Sequence, residues 1–242
     1  METLDLVYLG LVAVALLADH FVIWPRFVRS SRAEPQLARL ALWKSWMGML
    51  WVLSLAAALL WIYLHRPWDL MGLHLPTGWR IWTSAGAVLA VVALYAPTIS
   101  KLCRISAERK AALRTRFGDH AEMLPETQRE LAWFIALSLT AGFCEELIFR
   151  GYLIWALHTV VGLCAAAALS CLVFALAHSY QGVSGIIKTG GIGALLTVIV
   201  LAFGSLIPAI VIHALIDVAQ GVVAWLVLRQ FPAAKQTVAA VS

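Results

Sequence analysis

Six ionisable side chains lie inside long apolar stretches in the second half of the chain. They are Glu145, Glu146, Arg150, His178, His213 and Asp217. A charge at the centre of a bilayer costs about 2.5–3.5 kcal/mol on insertion scales, so residues of this kind usually face a polar interior and serve a function. Because lipid offers them no other partner, we expect the six groups to meet one another.

The first three of these groups predict an ion pair beside a free carboxylate. Glu146 and Arg150 are four positions apart and share a helix face, so they can form an ion pair that lowers the insertion cost of both. On an α-helix of 3.6 residues per turn, Glu145 is rotated from Glu146 by about 100°. Its carboxylate is therefore free to point elsewhere.

The other groups repeat the same spacing on two more apolar stretches. His213 and Asp217 are four positions apart, as are Phe174 and His178. Three predicted helices therefore each present a polar strip to a shared interior. A carboxylate in a cavity poor in water is suited to take a proton from water and return it later. One imidazole can position that water, and a second can donate to a developing oxyanion.

Two other hydrolytic chemistries can be compared with this pattern. No serine occurs at a strained turn and no Ser-His-Asp order is present, so acyl-enzyme chemistry is not predicted. HExxH, the commonest zinc-protease signature, is also absent. A glutamate with two histidines can still hold zinc, so Glu145, His178 and His213 are candidate metal ligands. The sequence leaves both metal-bound and metal-free water open.

Three short motifs resemble those of the CPBP (Abi) intramembrane proteases, the family that includes the CAAX endopeptidases. The family's EExxxR motif is matched by Glu145–Arg150, its FxxxH motif by Phe174–His178 and its HxxxN motif by His213–Asp217. The last motif departs from the family pattern, because Asp217 stands where asparagine is commoner. The three motifs follow the family's order, each on a separate apolar stretch.

This resemblance implies an endopeptidase that cuts a peptide or protein substrate within the membrane. It implies that Glu145 is the general base, that His178 helps to hold the water, and that His213 and Asp217 stabilise the oxyanion. Glu146, Arg150 and Phe174 would support the site. An ionised Asp217 would repel an oxyanion, so it must be protonated or must orient His213. We expect the protonated form.

The composition places these motifs in an integral membrane protein. Of the 242 residues, 62% are hydrophobic and 13% are charged, whereas soluble domains are about 45–50% apolar and about 25% charged. The same values exclude a disordered chain. The net charge is +5, and basic residues near the ends of apolar stretches indicate contact with anionic lipid rather than nucleic acid.

The apolar stretches predict an all-α transmembrane bundle with seven spans in a single domain of residues 1–242. The spans are Leu6–Trp24, Trp43–Leu64, Trp82–Ile99, Glu130–Leu157, Leu163–His178, Gly190–Gly204 and Pro208–Leu228. Residues 1–100 hold three of them, 101–130 form a polar and partly interfacial connection, and 131–228 form the catalytic core. Dividing the fourth span would give eight, which would place Lys188, Arg229 and Lys235 outside, against the positive-inside rule.

Charge near the spans predicts a multi-pass protein of the cell membrane. The first connection is strongly basic, so it is expected to be cytoplasmic together with 101–130. We expect Asp19 and His20, near the inner end of the first span, to reach the lipid headgroups. Gly190, Gly191 and Gly193 are expected to permit close helix packing rather than to bind phosphate, because no P-loop sequence accompanies them.

Two non-proteolytic functions fit the same features. A membrane module of this fold could give immunity to a peptide toxin or act as a scaffold for another membrane protein. A proton-coupled carrier would also use intramembrane Glu, His and Asp, although carriers often contain inverted repeats and none is evident here. The sequence does not specify the oligomeric state, the substrate or the use of zinc.

Overall fold

The computed structural model describes residues 1–229, which form an all-α bundle. The α-helices are α1 (Thr3–Ala18), α2 (Trp24–Ser31), α3 (Pro35–Tyr63), α4 (Trp79–Arg104), α5 (Ala107–Arg114), α6 (Gln128–Glu145), α7 (Ile154–Val161), α8 (Leu163–Ala177), α9 (Gly182–Phe203) and α10 (Ile207–Leu228). Two π-helical segments, Asp19–Ile23 and Glu146–Leu153, connect α1 to α2 and α6 to α7. Three 3₁₀ turns cover Trp68–Met71, Thr115–Met123 and Ser179–Gln181. The predicted fold class is confirmed.

Six helical stretches within residues 1–229 are long and apolar enough to cross a membrane. They are Thr3–Ser31, Pro35–Tyr63, Trp79–Arg104, Gln128–Val161, Ser179–Phe203 and Ile207–Leu228. The predicted span Leu163–His178 is represented by α8, which has 15 residues. At 1.5 Å per residue α8 is about 22 Å long, shorter than a hydrocarbon core of about 30 Å. The protein is therefore multi-pass, with six long helices and one short apolar helix.

Helix α9 begins earlier in the chain than the predicted span Gly190–Gly204. The segment between the predicted spans Leu163–His178 and Gly190–Gly204 is mostly the beginning of α9, which starts at Gly182. This end lies beside the end of α1, because Ser179 Oγ is 3.2 Å from His20 Nδ1. The other end of α9 lies beside the start of α4, where Arg80 Nη1 donates to the Phe203 carbonyl at 3.4 Å. Lys235, predicted to be cytoplasmic, lies outside the described residues.

A capping box fixes the start of α6, the helix that leads to the two adjacent glutamates. Thr127 Oγ1 accepts from the Glu130 N–H at 3.2 Å, and Glu130 Oε2 accepts from the Thr127 N–H at 2.9 Å. The helix begins at Gln128 because these reciprocal bonds form at Thr127. Glu130 is fully buried and also binds Arg39 at 2.8 Å.

A buried network at the opposite end of the bundle ties α1 to the second π-helical segment. Asp5 accepts hydrogen bonds of 2.7 and 2.9 Å from Arg66 and a further one from the Tyr152 hydroxyl. The carboxylate of Asp5 raises the pKa of Arg66 above its usual value by hydrogen bonding. The guanidinium also lies 4.3 Å from the Trp155 ring centroid, which adds a cation–π contact. These contacts fix the helical segment that carries Arg150.

Helix α10 packs against both α6 and α4. The closest approach to α6 is at Gly142, where a Cβ atom would lie 2.8 Å from the backbone nitrogen of Ala214. Only a residue without a side chain fits this contact. At the far end of α10, Arg114 of α5 donates to the Val227, Leu228 and Arg229 carbonyls at 2.8–3.0 Å. Helix α5 therefore caps the C-terminal end of α10.

Candidate active site

The second glutamate and the arginine of the EExxxR motif lie in a π-helical segment, not in the regular α-helix assumed from their spacing. The segment begins at Glu146 and ends at Leu153, and all eight of its residues are buried. Segments of this kind are rare and often occur at functional sites. Ser170 of α8 donates to the Phe149 carbonyl at 2.7 Å, which provides a partner for the irregular backbone.

Glu146 joins Arg150 to His213 through a single oxygen. Its Oε1 accepts from Arg150 Nη1 at 2.9 Å and from His213 Nδ1 at 2.8 Å. The predicted i,i+4 ion pair is therefore present, with both side chains fully buried. The contact with His213 crosses from α10 to the π-helical segment. Glu146 thus orients an imidazole as well as neutralising a cation.

Arg150 also connects two further helices. Its Nη2 donates to the Gly193 carbonyl at 3.1 Å and its Nε to Thr197 Oγ1 at 3.4 Å, both on α9. The guanidinium lies 4.0 Å from the Phe174 ring centroid on α8. A Cβ at Gly193 would come within 2.9 Å of Arg150 Nη2. Close packing at Gly193 follows from this contact, whereas Gly191 has open space around it.

The second nitrogen of His213 faces two carboxylates. Its Nε2 lies 3.6 Å from Asp217 Oδ2 and 3.8 Å from Glu145 Oε2. The Glu145 side chain is 14% exposed and that of Asp217 is 34% exposed, whereas the Glu146 side chain is fully buried. Because Nδ1 already donates to Glu146, Nε2 carries a hydrogen only in the doubly protonated ring. The accessible side of the site therefore consists of Glu145, Asp217 and this nitrogen.

His178 lies directly after the last residue of α8, one aromatic ring away from His213. Its Nδ1 donates to the Phe174 carbonyl at 2.8 Å, so in the neutral ring Nε2 is an acceptor. The Phe174 ring centroid is 4.8 Å from that of His178 and 6.1 Å from that of His213. Within residues 1–229, no hydrogen bond or ion pair joins His178 to Glu145. The Phe174 ring is therefore a neighbour of both imidazoles.

Asp19 lies in a different environment from the one predicted. It was expected to reach the lipid headgroups, but it is only 7% exposed and accepts a 2.7 Å hydrogen bond from Trp46 Nε1. It also interacts electrostatically with Glu145 and His178. The helix continues through a π-helical segment to Ser31, so Asp19 lies within the span and not at its end. The rule that singled out the other intramembrane acids applies equally to Asp19.

Aromatic side chains from three elements surround the approach to His178. The Tyr180 ring centroid lies 5.1 Å from that of Trp24, 5.2 Å from that of Trp46 and 5.9 Å from that of His178. The first two spans therefore cover one side of the site with apolar rings.

The candidate metal ligands are not gathered as a metal site. Among the described side chains of residues 1–229, which leave out those of residues 116 and 118–120, no group of three or more His, Cys, Asp or Glu is placed to hold a metal ion. The set proposed from sequence, Glu145, His178 and His213, is not among such groups.

Gly142→Ala is expected to weaken both the bundle and the alignment of its polar groups. The new methyl would collide with backbone atoms of Ala214, next to His213, and would push α6 away from α10. Overpacking of this kind costs about 1–3 kcal/mol. Gly48→Ala is the matched control on α3, because nothing lies within 4 Å of its position. Thermal unfolding of the two purified variants measures the difference, and equal midpoints would contradict the close contact.

One comparison with known proteins found a match. Residues 127–219 match a family model described as type II CAAX prenyl endopeptidase Rce1-like. Searches of curated proteins and of solved structures each found no match. The matched segment begins at the capping box of α6 and ends on α10 just beyond Asp217, so it contains all three motifs. Residues 127–219 are therefore similar to the Rce1-like type II CAAX prenyl endopeptidases, in agreement with the resemblance carried by the three motifs.

Proposed function

We propose that the protein is an intramembrane endopeptidase that hydrolyses a peptide bond with water activated by Glu145. The observation that carries the proposal is that the two adjacent glutamates differ in burial and in their partners. Glu146 is buried and holds Arg150 and His213, whereas Glu145 is partly exposed and lies 3.8 Å from His213 Nε2. A partly exposed carboxylate beside a fixed imidazole is suited to general-base catalysis.

In the proposed reaction, one water molecule is held by two acceptors. His178 Nε2 accepts one of its hydrogens and Glu145 takes the other as a proton. The water oxygen bonds to the peptide carbonyl carbon, and the carbonyl oxygen becomes an oxyanion. When the tetrahedral intermediate collapses, the C–N bond breaks and Glu145 returns its proton to the leaving amine. The products are a carboxylic acid and an amine.

Donors for the oxyanion come from α10 in this proposal. His213 is held through Nδ1 by Glu146, and its Nε2–H donates to the oxyanion in the doubly protonated ring. A protonated Asp217, 3.6 Å away, supplies a second O–H donor. In this state Arg150 and His213 carry two positive charges against Glu145 and Glu146. The site is then neutral overall, which a low-dielectric environment favours.

Asp217→Asn is expected to retain activity within about tenfold, because the amide also donates and restores the residue usual in the family's motif. Asp217→Leu removes the donor and is expected to lower kcat by about 10²–10³-fold, the loss typical of an oxyanion donor. Steady-state cleavage assays on the purified variants measure both effects. An inactive Asp217→Asn beside an active Asp217→Glu would disprove the donor role.

The experiment that tests the function is terminal-peptide mass spectrometry on membranes from cells that carry each variant. Wild type and the exposed control Glu34→Gln are expected to generate the same new peptide termini. Glu145→Ala and His213→Ala are expected to lack them at unchanged protein level. The family match makes a prenylated CAAX peptide the first defined substrate to test, followed by peptide precursors and membrane anchors.

The same variants separate the alternative functions. If wild type generates no cleavage product and Glu145→Ala retains the biological activity of wild type, the protein is an immunity or scaffolding module. If wild type dissipates a pH gradient in vesicles and Glu145→Ala does not, it is a proton-coupled carrier. Either outcome overturns the endopeptidase proposal.

A further inference from the structure

A second polar site lies away from the acids and histidines, where α4 ends and α5 begins. A cavity of about 760 Å³ opens there, and its lining is Pro97, Ser100, Lys101, Arg104, Ile105, Ser106 and Arg109. This volume falls in the range of ligand sites, about 300–1,000 Å³. The proposed endopeptidase reaction uses none of these residues.

The charge of the lining is entirely positive. Lys101, Arg104 and Arg109 contribute three cations, and the lining contains no acidic residue. Among the ion pairs between described side chains, none involves these three residues. The adjacent acid, Glu108, interacts with Ser106 instead. The cavity therefore presents three cations and the Ser100 hydroxyl to an anionic ligand.

The position of the cavity along α4 places it at the level of the lipid headgroups. Helix α4 rises about 28 Å between Trp82 and Lys101 at 1.5 Å per residue, close to the thickness of the hydrocarbon core, about 30 Å. Trp82 is 76% exposed, as expected for an interfacial anchor at the opposite end. Of the six long spans, α4 is the least buried, with 6% of its apolar stretch inside the protein. Lipid can therefore reach the cavity from the side.

We propose that this cavity binds the phosphate of an anionic phospholipid headgroup. Arginine and lysine bind phosphate through charge-assisted hydrogen bonds, and basic residues next to a span are attracted to anionic lipid. The acyl chains of the same lipid lie along the exposed face of α4. A phosphate at this point joins α4 to α5, whose Arg114 caps the end of α10. Lipid binding therefore stabilises the helix that carries His213.

Native mass spectrometry of the purified protein tests the proposal, with phosphatidylglycerol and phosphatidylcholine as probes. Wild type is expected to retain phosphatidylglycerol at least about tenfold more strongly, since each basic residue near the surface adds to the attraction. The variant with Lys101→Gln, Arg104→Gln and Arg109→Gln is expected to lose this preference. The control with Arg26→Gln, Arg29→Gln and Arg32→Gln removes three exposed cations outside the cavity and is expected to keep it.

A thermal unfolding assay in the same lipids provides the second measurement. Phosphatidylglycerol is expected to raise the unfolding midpoint of wild type and of the control, but not of the cavity variant. All three proteins are expected to unfold at the same midpoint in phosphatidylcholine. Equal loss in both triple variants would show attraction by overall charge and would overturn the site. Displacement of the lipid by millimolar inorganic phosphate would indicate a free-anion site and would overturn the lipid proposal.

Discussion

Glu145→Gln is expected to abolish peptide-bond cleavage while leaving the bundle folded. Glutamine keeps the size of the side chain but cannot take a proton from water, and loss of a general base lowers kcat by about 10²–10⁴-fold. Within residues 1–229 the Glu145 carboxylate has one ion-pair partner, His213 Nε2 at 3.8 Å, so little of the fold depends on it. The measurement is kcat for a prenylated CAAX peptide with the purified protein in nanodiscs.

The thermal unfolding midpoint provides the check on folding for this variant. Glu34→Gln is the matched control. Glu34 is exposed at the N-cap position of α3, and its side chain makes no capping hydrogen bond. Both variants are expected to unfold within a degree or two of wild type, the range of ordinary surface substitutions. Wild-type kcat in Glu145→Gln would show that another group activates the water.

The contacts that the sequence predicted well are those set by helical spacing. The Glu146–Arg150 pair was predicted from four-residue spacing and is present at 2.9 Å. His213 and Asp217 likewise face each other at 3.6 Å. A contact of this kind depends only on one turn of backbone, so periodicity is enough to find it.

The contact that organises the site depends on helix packing and could not be predicted from spacing. His213 and Glu146 are 67 positions apart, and they meet because α6 and α10 approach closely at Gly142 and Ala214. A single small residue among many in an apolar helix gives no distinctive signal. The prediction therefore gave Glu146 an ion pair with Arg150 only, and it missed the hydrogen bond between Glu146 and His213.

The π-helical segments explain the remaining errors in the site. Hydrophobic periodicity assumes 3.6 residues per turn, and a local change to a wider turn leaves the average pattern intact. The continuation of the first span through Asp19–Ile23 keeps Asp19 inside the protein. The end of a span was predicted less accurately where a charged residue was taken to mark the boundary. The predicted spans left Lys188 outside them, although it lies on an exposed face of α9.

Glu146→Leu is expected to have the largest effect on stability of any single substitution in the site. Arg150 is fully buried beside it, and removing one member of a buried ion pair costs about 3–5 kcal/mol because the other charge is left uncompensated. His213 also loses the acceptor for Nδ1, so activity is expected to disappear as well. The thermal unfolding midpoint and kcat measure the two losses.

The double variant Glu146→Leu with Arg150→Met separates the two roles of Glu146. Replacing a whole buried ion pair by apolar residues of similar volume is often neutral or stabilising, so the unfolding midpoint is expected to return most of the way to wild type. Activity is not expected to return, because nothing then orients His213. Recovery of both stability and kcat would show that Glu146 serves only as the partner of Arg150, and the proposed alignment of the imidazole would be wrong.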